Sequence, residues 1–324
     1  MSQKQAVFSL SICGRAILDV HSLNNEGGEG NQIATRMVNV VYRDRASGEY
    51  KLATVNAVSG DMLKHIQAEH LYLLAKGKLP LCAGCEKFSA SRILDDADFM
   101  GKLPVQDEAV IDALLKHCAL DDLEGNLIAK GARSVPRKSV AEFGWVVGVP
   151  DYTTTESYFH VRYAAERGER PEEAQQQAIF HRPASSGVYA IVANFEMARI
   201  GFNDISQQYA IADDEREKRY LAFMESILYS FVEPNGAMRG TQNPHIVDFQ
   251  GVVTVTNQVM PAPALSPLDE NYRQEVERVA GALNGLKPAA VTVHRFDSMG
   301  QFAEVMKEIT ETTRPYKLPG RKCQ

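Results

Sequence analysis

Cys82-Ala83-Gly84-Cys85 carries the plainest chemistry in this chain. Two thiols at this spacing can close on one tetrahedral cation, and zinc takes Cys and His ligands so arranged. His117-Cys118 lies further along the same stretch, so Cys82, Cys85 and Cys118 with His117 or His70 make a candidate zinc centre. The same residues also suit buried thiols or a reduced pair. A thioredoxin-type role is disfavoured, because that motif opens a helix directly after a strand; here it follows the helix stop Gly77-Lys78-Leu79-Pro80-Leu81. A second pattern is the polar run Asn24-Asn25-Glu26-Gly27-Gly28-Glu29-Gly30-Asn31. Its three glycines leave backbone N–H groups uncovered, which suits either a phosphate cradle or a flexible hairpin loop. It is not a Walker loop, since no Gly-Lys-Ser/Thr follows. Nor is it a dinucleotide fingerprint, because a strand-like run comes next rather than a helix. The third pattern, Tyr158-Phe159-His160-Val161-Arg162-Tyr163, interleaves aromatics with His and Arg. Aromatics stack on unpaired bases while His and Arg meet phosphate, although a strand with an aromatic core face reads the same way.

Other chemistries find little support. The chain has no G-x-S-x-G, no H-E-x-x-H and no EF-hand loop. Asp95, Asp96 and Asp98, and separately Asp19 with Glu26, offer carboxylates to a cation, a pattern shared with solvated acidic surfaces.

The elements that must position these residues follow from hydrophobic periodicity. Phe8, Leu10, Ile12, Ala16, Leu18 and Val20 alternate as in a half-buried strand, and Met37–Tyr42 and Lys51–Val58 read as two more. Ser59 is a fitting N-cap for a helix in which Met62, Ile66, His70 and Leu71 recur at helical spacing. Asp107–Cys118 reads as an amphipathic helix and Asp121–Pro136 as loop, while Pro150–Ser157 is turn-rich. Gly187–Ile200 reads as an apolar strand, Asp213–Ser230 as a helix and Ile246–Val259 as a β segment. Tyr272–Leu283, Ala289–Arg295 and Gly300–Thr312 complete the order as helix, strand and helix. This order predicts an α+β sandwich of ferredoxin-like or RNA-recognition type. Residues 1–60 and 185–324 would form its core, and 61–184 an insertion with its own packing unit.

Composition bounds the answer further. The 324 residues are 44% hydrophobic, enough for one large or two modest domains. No apolar run approaches a membrane span, and the start MSQKQAVFSLS lacks the features of a signal peptide. Five cysteines, an odd number, argue for a reducing compartment, so a cytoplasmic location is expected. The net charge of −6 speaks against binding polyanions over the whole surface and leaves room for a local basic groove.

Several of these pieces, in order, resemble one family: the CRISPR-associated backbone subunit of class 1 effector complexes, in the archaeal type I-A and DevR-like branch of the RAMP superfamily. The residues that carry the likeness are Leu23-Asn24, Gly30-Asn31 with Arg36 downstream, and Ala57-Val58-Ser59-Gly60. Leu79-Pro80-Leu81-Cys82 to Cys85 belongs with them, as do His117-Cys118 followed by Asp122 to Gly125, and Phe159-His160-Val161-Arg162. The likeness runs from about Phe8 to beyond Ile200 and thins after Asp213. It implies a modified RNA-recognition-motif (ferredoxin-like) palm with a large finger-like insertion and a thumb-like hairpin. It also implies that copies stack into a helical filament on a guide RNA, which pairs with target DNA or RNA. Other effector subunits and a recruited nuclease would be partners, and there would be no membrane partner. No cofactor is required, with a structural zinc as an option. The subunit would bind without cutting and so would not be an enzyme. Type III relatives carry a cleaving Asp in the first palm loop, whereas this loop has Glu26 and Glu29 and no Asp after Asp19. The candidate RNA-binding residues are Arg15, Asn24, Asn31, Arg36, Ser59, Lys64, His160 and Arg162. The acidic net charge requires Arg15, Arg36, Lys64, Arg133, Arg137, Lys138 and Arg162 to face one groove. Two other readings stand beside this one: a type III-like RNA-cleaving subunit, and a scaffold or regulator that does not bind RNA.

Overall fold

The computed structural model describes residues 4–29, 32–163, 177–236 and 243–320. Its main elements, in chain order, are strands β1 (Ser9–His21), β2 (Met37–Arg43) and β3 (Tyr50–Val58), then helices α1 (Gly60–Ala75), α2 (Asp107–His117) and α3 (Ala119–Glu124). Strands β4 (Val146–Tyr163) and β5 (Gln177–Phe195) precede helix α4 (Asp213–Val232) and strand β6 (His245–Thr256). Helix α5 (Tyr272–Leu286), strand β7 (Val291–Phe296) and helix α6 (Met299–Thr312) close the order.

The alternation in β1 places Leu10, Ile12, Ala16 and Leu18 on one face and Ser9, Ser11 and Cys13 on the other. Both faces are covered. The strand is therefore central rather than half-buried. It pairs antiparallel with β5 on one side and β6 on the other, Cys13 lying opposite both Val192 and Val252. The full spatial order is β7-β6-β1-β5-β4-β3-β2, with every neighbouring pair antiparallel. From β1 the chain reaches β4 through β2, β3, helix α1 and a long insertion, and α4 connects β5 to β6. Each of these crossovers spans a strand belonging to the other. Leu63, Ile66 and Leu71 of α1 and Phe223, Met224 and Ile227 of α4 join Leu10, Ile12 and Ile191 in one buried core. Tyr272 and Val276 of α5 cover the opposite face over Cys13 and Val252. A parallel pairing of Gln5–Val7 with Thr313–Pro315 brings the two ends of the chain together.

Three expectations change. Pro150–Ser157, which its turn residues marked as a loop, lies within β4. A bulge between Gly148 and Thr153 takes up Asp151 at φ 67°, so the turn residues bend the strand without ending it. The polar run after Asn24 is partly strand: Asn25–Glu29 pairs with Gln32–Thr35, and Gln32 in turn pairs with His181 of β5. Asp121–Pro136 holds most of α3 and nearly all of the hairpin Asn126–Lys130/Arg133–Arg137.

Strands β4 and β5 stay paired from Thr153–Tyr163 to Gln177–Gly187, past the end of β1, and so project as an arm. Between α1 and β4 the chain packs as short helices and one hairpin. A fully buried ion cluster ties this unit to the helices. Asp122 of α3 accepts from Arg137 Nη2 at 2.7 Å, from Arg219 Nη1 of α4 at 2.9 Å and from the Gly201 amide at 2.9 Å. Arg137 therefore faces the interior, contrary to the expectation of a groove residue, because the Asp122 carboxylate and the Arg199 and Phe202 carbonyls surround it. Among the described residues no helix is long and apolar enough to cross a membrane.

Candidate nucleic-acid interface and metal centre

The start of α1 is built by side chains from four segments. Ser59, extended at φ −67° and ψ 150°, accepts the Met62 amide on Oγ at 3.1 Å and so caps the helix. Its own amide donates to Asn24 Oδ1 at 3.0 Å. Asn24 is buried, and its carbonyl accepts from Thr35 Oγ1. Asn56 Nδ2 donates to Thr35 Oγ1 and to the Arg36 carbonyl, while Tyr189 donates to Asn56 Oδ1 at 2.9 Å. His21 packs edge-on against Tyr189, and burial pulls its pKa down to about 4, so the ring stays neutral. The result is a rigid polar bracket that holds a positive helix end in place.

Cations and an aromatic surround this corner. Arg36 pairs with Glu26 at 2.9 Å, and its guanidinium lies 5.6 Å from the ring centroid of Trp145. Lys64, one turn into α1, lines a cleft of about 320 Å³ with Asp61, His65, Phe88, Arg92 and Cys85. Burial lowers the Lys64 pKa, and Glu124 and Asp61 oppose that shift. Arg92 is held by a bond from Nη1 to the Gly125 carbonyl at 2.5 Å. An anion in the cleft would meet Lys64 and Arg92, and one beside Trp145 would meet Arg36.

Of the residues singled out in the sequence, Ser59 caps α1 with Asn24 as its brace, Arg36 lies beside Trp145, and Lys64 lines the cleft one turn into the helix. Arg15 does not. It lies on the sheet face under α5, where Nε donates to the Pro267 carbonyl at 2.8 Å and the guanidinium sits 6.0 Å from the Tyr272 ring centroid. Arg133 pairs with Asp107, and Lys138 with Glu142 and Glu196, so neither joins a common groove. Asn31 lies outside the described residues. His160 and Arg162 lie on the projecting arm, their backbones opposite Phe180 and Ala178, and their side chains are outside the described residues.

The cysteines do converge. The Sγ atoms of Cys82, Cys85 and Cys118 and a carboxylate oxygen of Asp121 all lie within 4.8 Å of one another, fully buried. The fourth member is Asp121 and neither histidine. His117 Nε2 bonds to Asp96 at 2.9 Å, and His70 Nε2 bonds to the Glu233 carbonyl at 2.8 Å. Cys118 caps α3 and accepts the Asp121 amide on its sulfur, which turns the Asp121 side chain back toward Cys82 and Cys85. Asp121 Oδ2 lies 3.3 and 3.4 Å from their sulfurs, and Asn126 holds Oδ1 at 2.6 Å. Hydrogen bonds from Cys118 and Cys85 pull the Cys82 thiol down to about 5, while burial pushes the Asp121 carboxyl up to about 7. Four acidic groups packed in a dry pocket repel as anions, and a divalent cation resolves that conflict. A zinc tetrahedron with bonds of about 2.3 Å has edges of about 3.8 Å, so a small contraction would bring all four onto one ion. The cluster could hold a zinc. Sequence reasoning missed Asp121, although Cys118-x-x-Asp121 repeats the Cys82-x-x-Cys85 spacing, and it missed Trp145, the single tryptophan of the chain.

Comparison with known proteins shows the family. Residues 12–277 match the family model described as CRISPR-associated negative auto-regulator DevR/Csa2. The chain is 23% identical over 323 residues to the CRISPR-associated protein Cas7/Cst2/DevR of Methanocaldococcus jannaschii, covering 93% of this chain and 97% of that one. It is 25% identical over 234 residues to the CRISPR-associated protein Cas7/Csa2 1 of Saccharolobus solfataricus, covering 69% and 71%. Its fold matches a chain of a solved CRISPR RNA-guided surveillance complex in a pre-nicking state. The TM-score is 0.52 at 14% identity, over 94% of this chain and 99% of that one. With a family model spanning most of its length, this chain belongs to the DevR/Csa2 family of CRISPR-associated proteins.

Proposed function

We propose that this protein is the repeated backbone subunit of a type I, Cascade-like CRISPR complex, coating the guide RNA along its phosphate backbone for pairing with invading DNA or RNA. The observation that carries this reading is the corner at the start of α1. There a capped helix end stands on a braced backbone, with Arg36 beside Trp145 and with Lys64 and Arg92 lining a cleft along the helix. A subunit that must accept any guide gains its affinity from phosphates, which carry no sequence information. Glu26 of the first loop is paired with Arg36, which supports binding without cutting.

The finer architecture is part of the same proposal. The order β6-β1-β5-β4 with α1 and α4 is that of an RNA-recognition-motif unit, and we read it as the palm. The palm then takes in 1–60 and 185–324 together with α1 and the sheet-paired part of β4. The finger-like insertion narrows from 61–184 to about 76–145, and the β4–β5 arm is the thumb-like hairpin carrying His160 and Arg162. Strand β2 ends the sheet, with Val41 on it and Tyr50 and Leu52 beside it well exposed, which supports stacking of copies. The buried cysteine cluster is assigned a structural zinc.

The chain should co-purify with small RNA. Gel shifts with two unrelated guide sequences should give similar affinities. Three phosphate contacts, from Arg36, Lys64 and Arg92, imply a log–log salt slope of about −2 for a single strand, or roughly 20-fold weaker binding from about 50 to 200 mM. Further contacts from the arm would steepen it. A flat salt response, or strong preference for one sequence, would favour a regulator. Mg²⁺-dependent cutting of a target annealed to the guide would favour the type III-like reading.

A further inference from the structure

Trp145 has an unusual setting. It is 44% exposed, yet the backbone on both sides of it is fixed. Gly144 donates to the Val192 carbonyl at 2.8 Å, and Val146 pairs with Val58. Gly60 fits against the Phe143 carbonyl so tightly that a Cβ would sit 2.2 Å from that oxygen. Phe143 itself is anchored edge-on against Phe195. The exposed indole therefore stands on a backbone that is fixed on both sides.

Its neighbours describe the ligand. Arg36 stands 5.6 Å from the ring centroid, held there by an ion pair with Glu26 whose partners are both about one-third to one-half exposed. Such a pair contributes little to stability, so an incoming phosphate competes for Arg36 at small cost. Ser59 and the capped end of α1 follow directly from β3, the strand paired with the start of β4. A flat π surface beside a guanidinium and a helix N-terminus matches the two halves of one nucleotide, base and phosphate.

We propose that Trp145 and Arg36 form a base-stacking subsite, in which one unpaired base of the bound RNA lies on the indole and its phosphate meets Arg36. The inference rests on the guide-RNA reading and adds to it a defined position where the strand is held through a base. Any base serves, because every base has a π face, so the subsite fixes register without choosing sequence.

Because the chain has a single tryptophan, its fluorescence reports on this subsite alone. The full-length protein is titrated with an unlabelled single-stranded oligoribonucleotide while indole emission is followed. In parallel, the anisotropy of a dye-labelled copy of the same oligonucleotide reports binding wherever it occurs. The expected result is quenching that saturates together with anisotropy. Trp145→Leu should bind the labelled RNA about 5- to 150-fold more weakly, the range for one lost stacking contact, and Trp145→Phe should recover part of that loss. Thermal melts of both variants confirm folding; should the Leu variant unfold, the Phe variant and the wild-type quenching decide alone. RNA binding by anisotropy with unchanged indole emission, or with wild-type affinity in the folded Leu variant, overturns the subsite and leaves the RNA reading standing. Emission that responds only to protein concentration, through self-association, also overturns it. No binding in either channel overturns both.

Discussion

The ion cluster around Asp122 offers the sharpest test of how the insertion is held to the sheet. Asp122→Asn keeps the shape of the side chain and removes its charge. Arg137 and Arg219, both essentially inaccessible, then lose the anion each contacts at 2.7 and 2.9 Å. Arg219 keeps Glu215 and Arg137 keeps Asp204, but those carboxylates are about one-third exposed and cannot match a buried partner. Removing one member of a buried ion pair costs about 3–5 kcal/mol, and the surviving partners place the expected loss at the lower end, about 3 kcal/mol. Against a typical stability of 5–15 kcal/mol this is a large fraction, and urea unfolding should show it as a lower midpoint. Because Asp122, Arg137 and Arg219 come from α3, the insertion hairpin and α4, loss of the cluster should loosen the insertion against the palm. A folded variant within about 0.5 kcal/mol of wild type would refute the reasoning. The insertion would then be held by its apolar contacts alone.

Three further outcomes are expected. Elemental analysis should find about one zinc per chain, lost in Cys82→Ser and reduced in Asp121→Ala; fully folded metal-free protein would leave four ordinary buried groups. His21 has a folded pKa of about 4 against 6.5, so the unfolded state binds more protons between those values. Stability is complete above pH 6.5 and falls as pH drops toward 4, and the advantage of wild type over His21→Asn should shrink by about 2–3 kcal/mol between pH 7 and 4.5. A gap that does not change with pH would mean the ring is hydrated. Ser59→Ala removes the cap of α1 and should cost about 1 kcal/mol while weakening RNA binding; a melt shift with unchanged RNA affinity would separate the cap from the interface.

What could be read in the sequence depended on how far each residue's partners lie along the chain. Ser59 was legible as a cap because its acceptor role is fulfilled three residues on, at Met62. The helices Asp213–Val232 and Met299–Thr312 were legible because periodicity is a local property. The strand Val146–Tyr163 was legible only in part, since its turn residues absorb a bulge whose geometry is set by Gly187 across the ladder. Asp121 read only as the start of a loop, and only the fold of Cys118 back toward Cys82 gives it a role.

The basic residues show the same rule most clearly. Seven cations were expected in one groove because a net charge of −6 seemed to leave no other source of RNA affinity. That inference treated charge as a property of the surface. Arg137 spends its charge in the interior on Asp122, Arg133 on Asp107, Lys138 on Glu142 and Glu196, and Arg15 is bound to a carbonyl under α5. The anions they neutralise are themselves part of the acidic total, so these pairs cancel within the fold and add nothing to the interface. What remains is Arg36 beside Trp145, and Lys64 and Arg92 lining the cleft along α1. Net charge is therefore a poor guide here. A few cations over a braced helix terminus can hold a phosphate chain on an acidic protein, because screening confines each carboxylate's repulsion to about 8–10 Å.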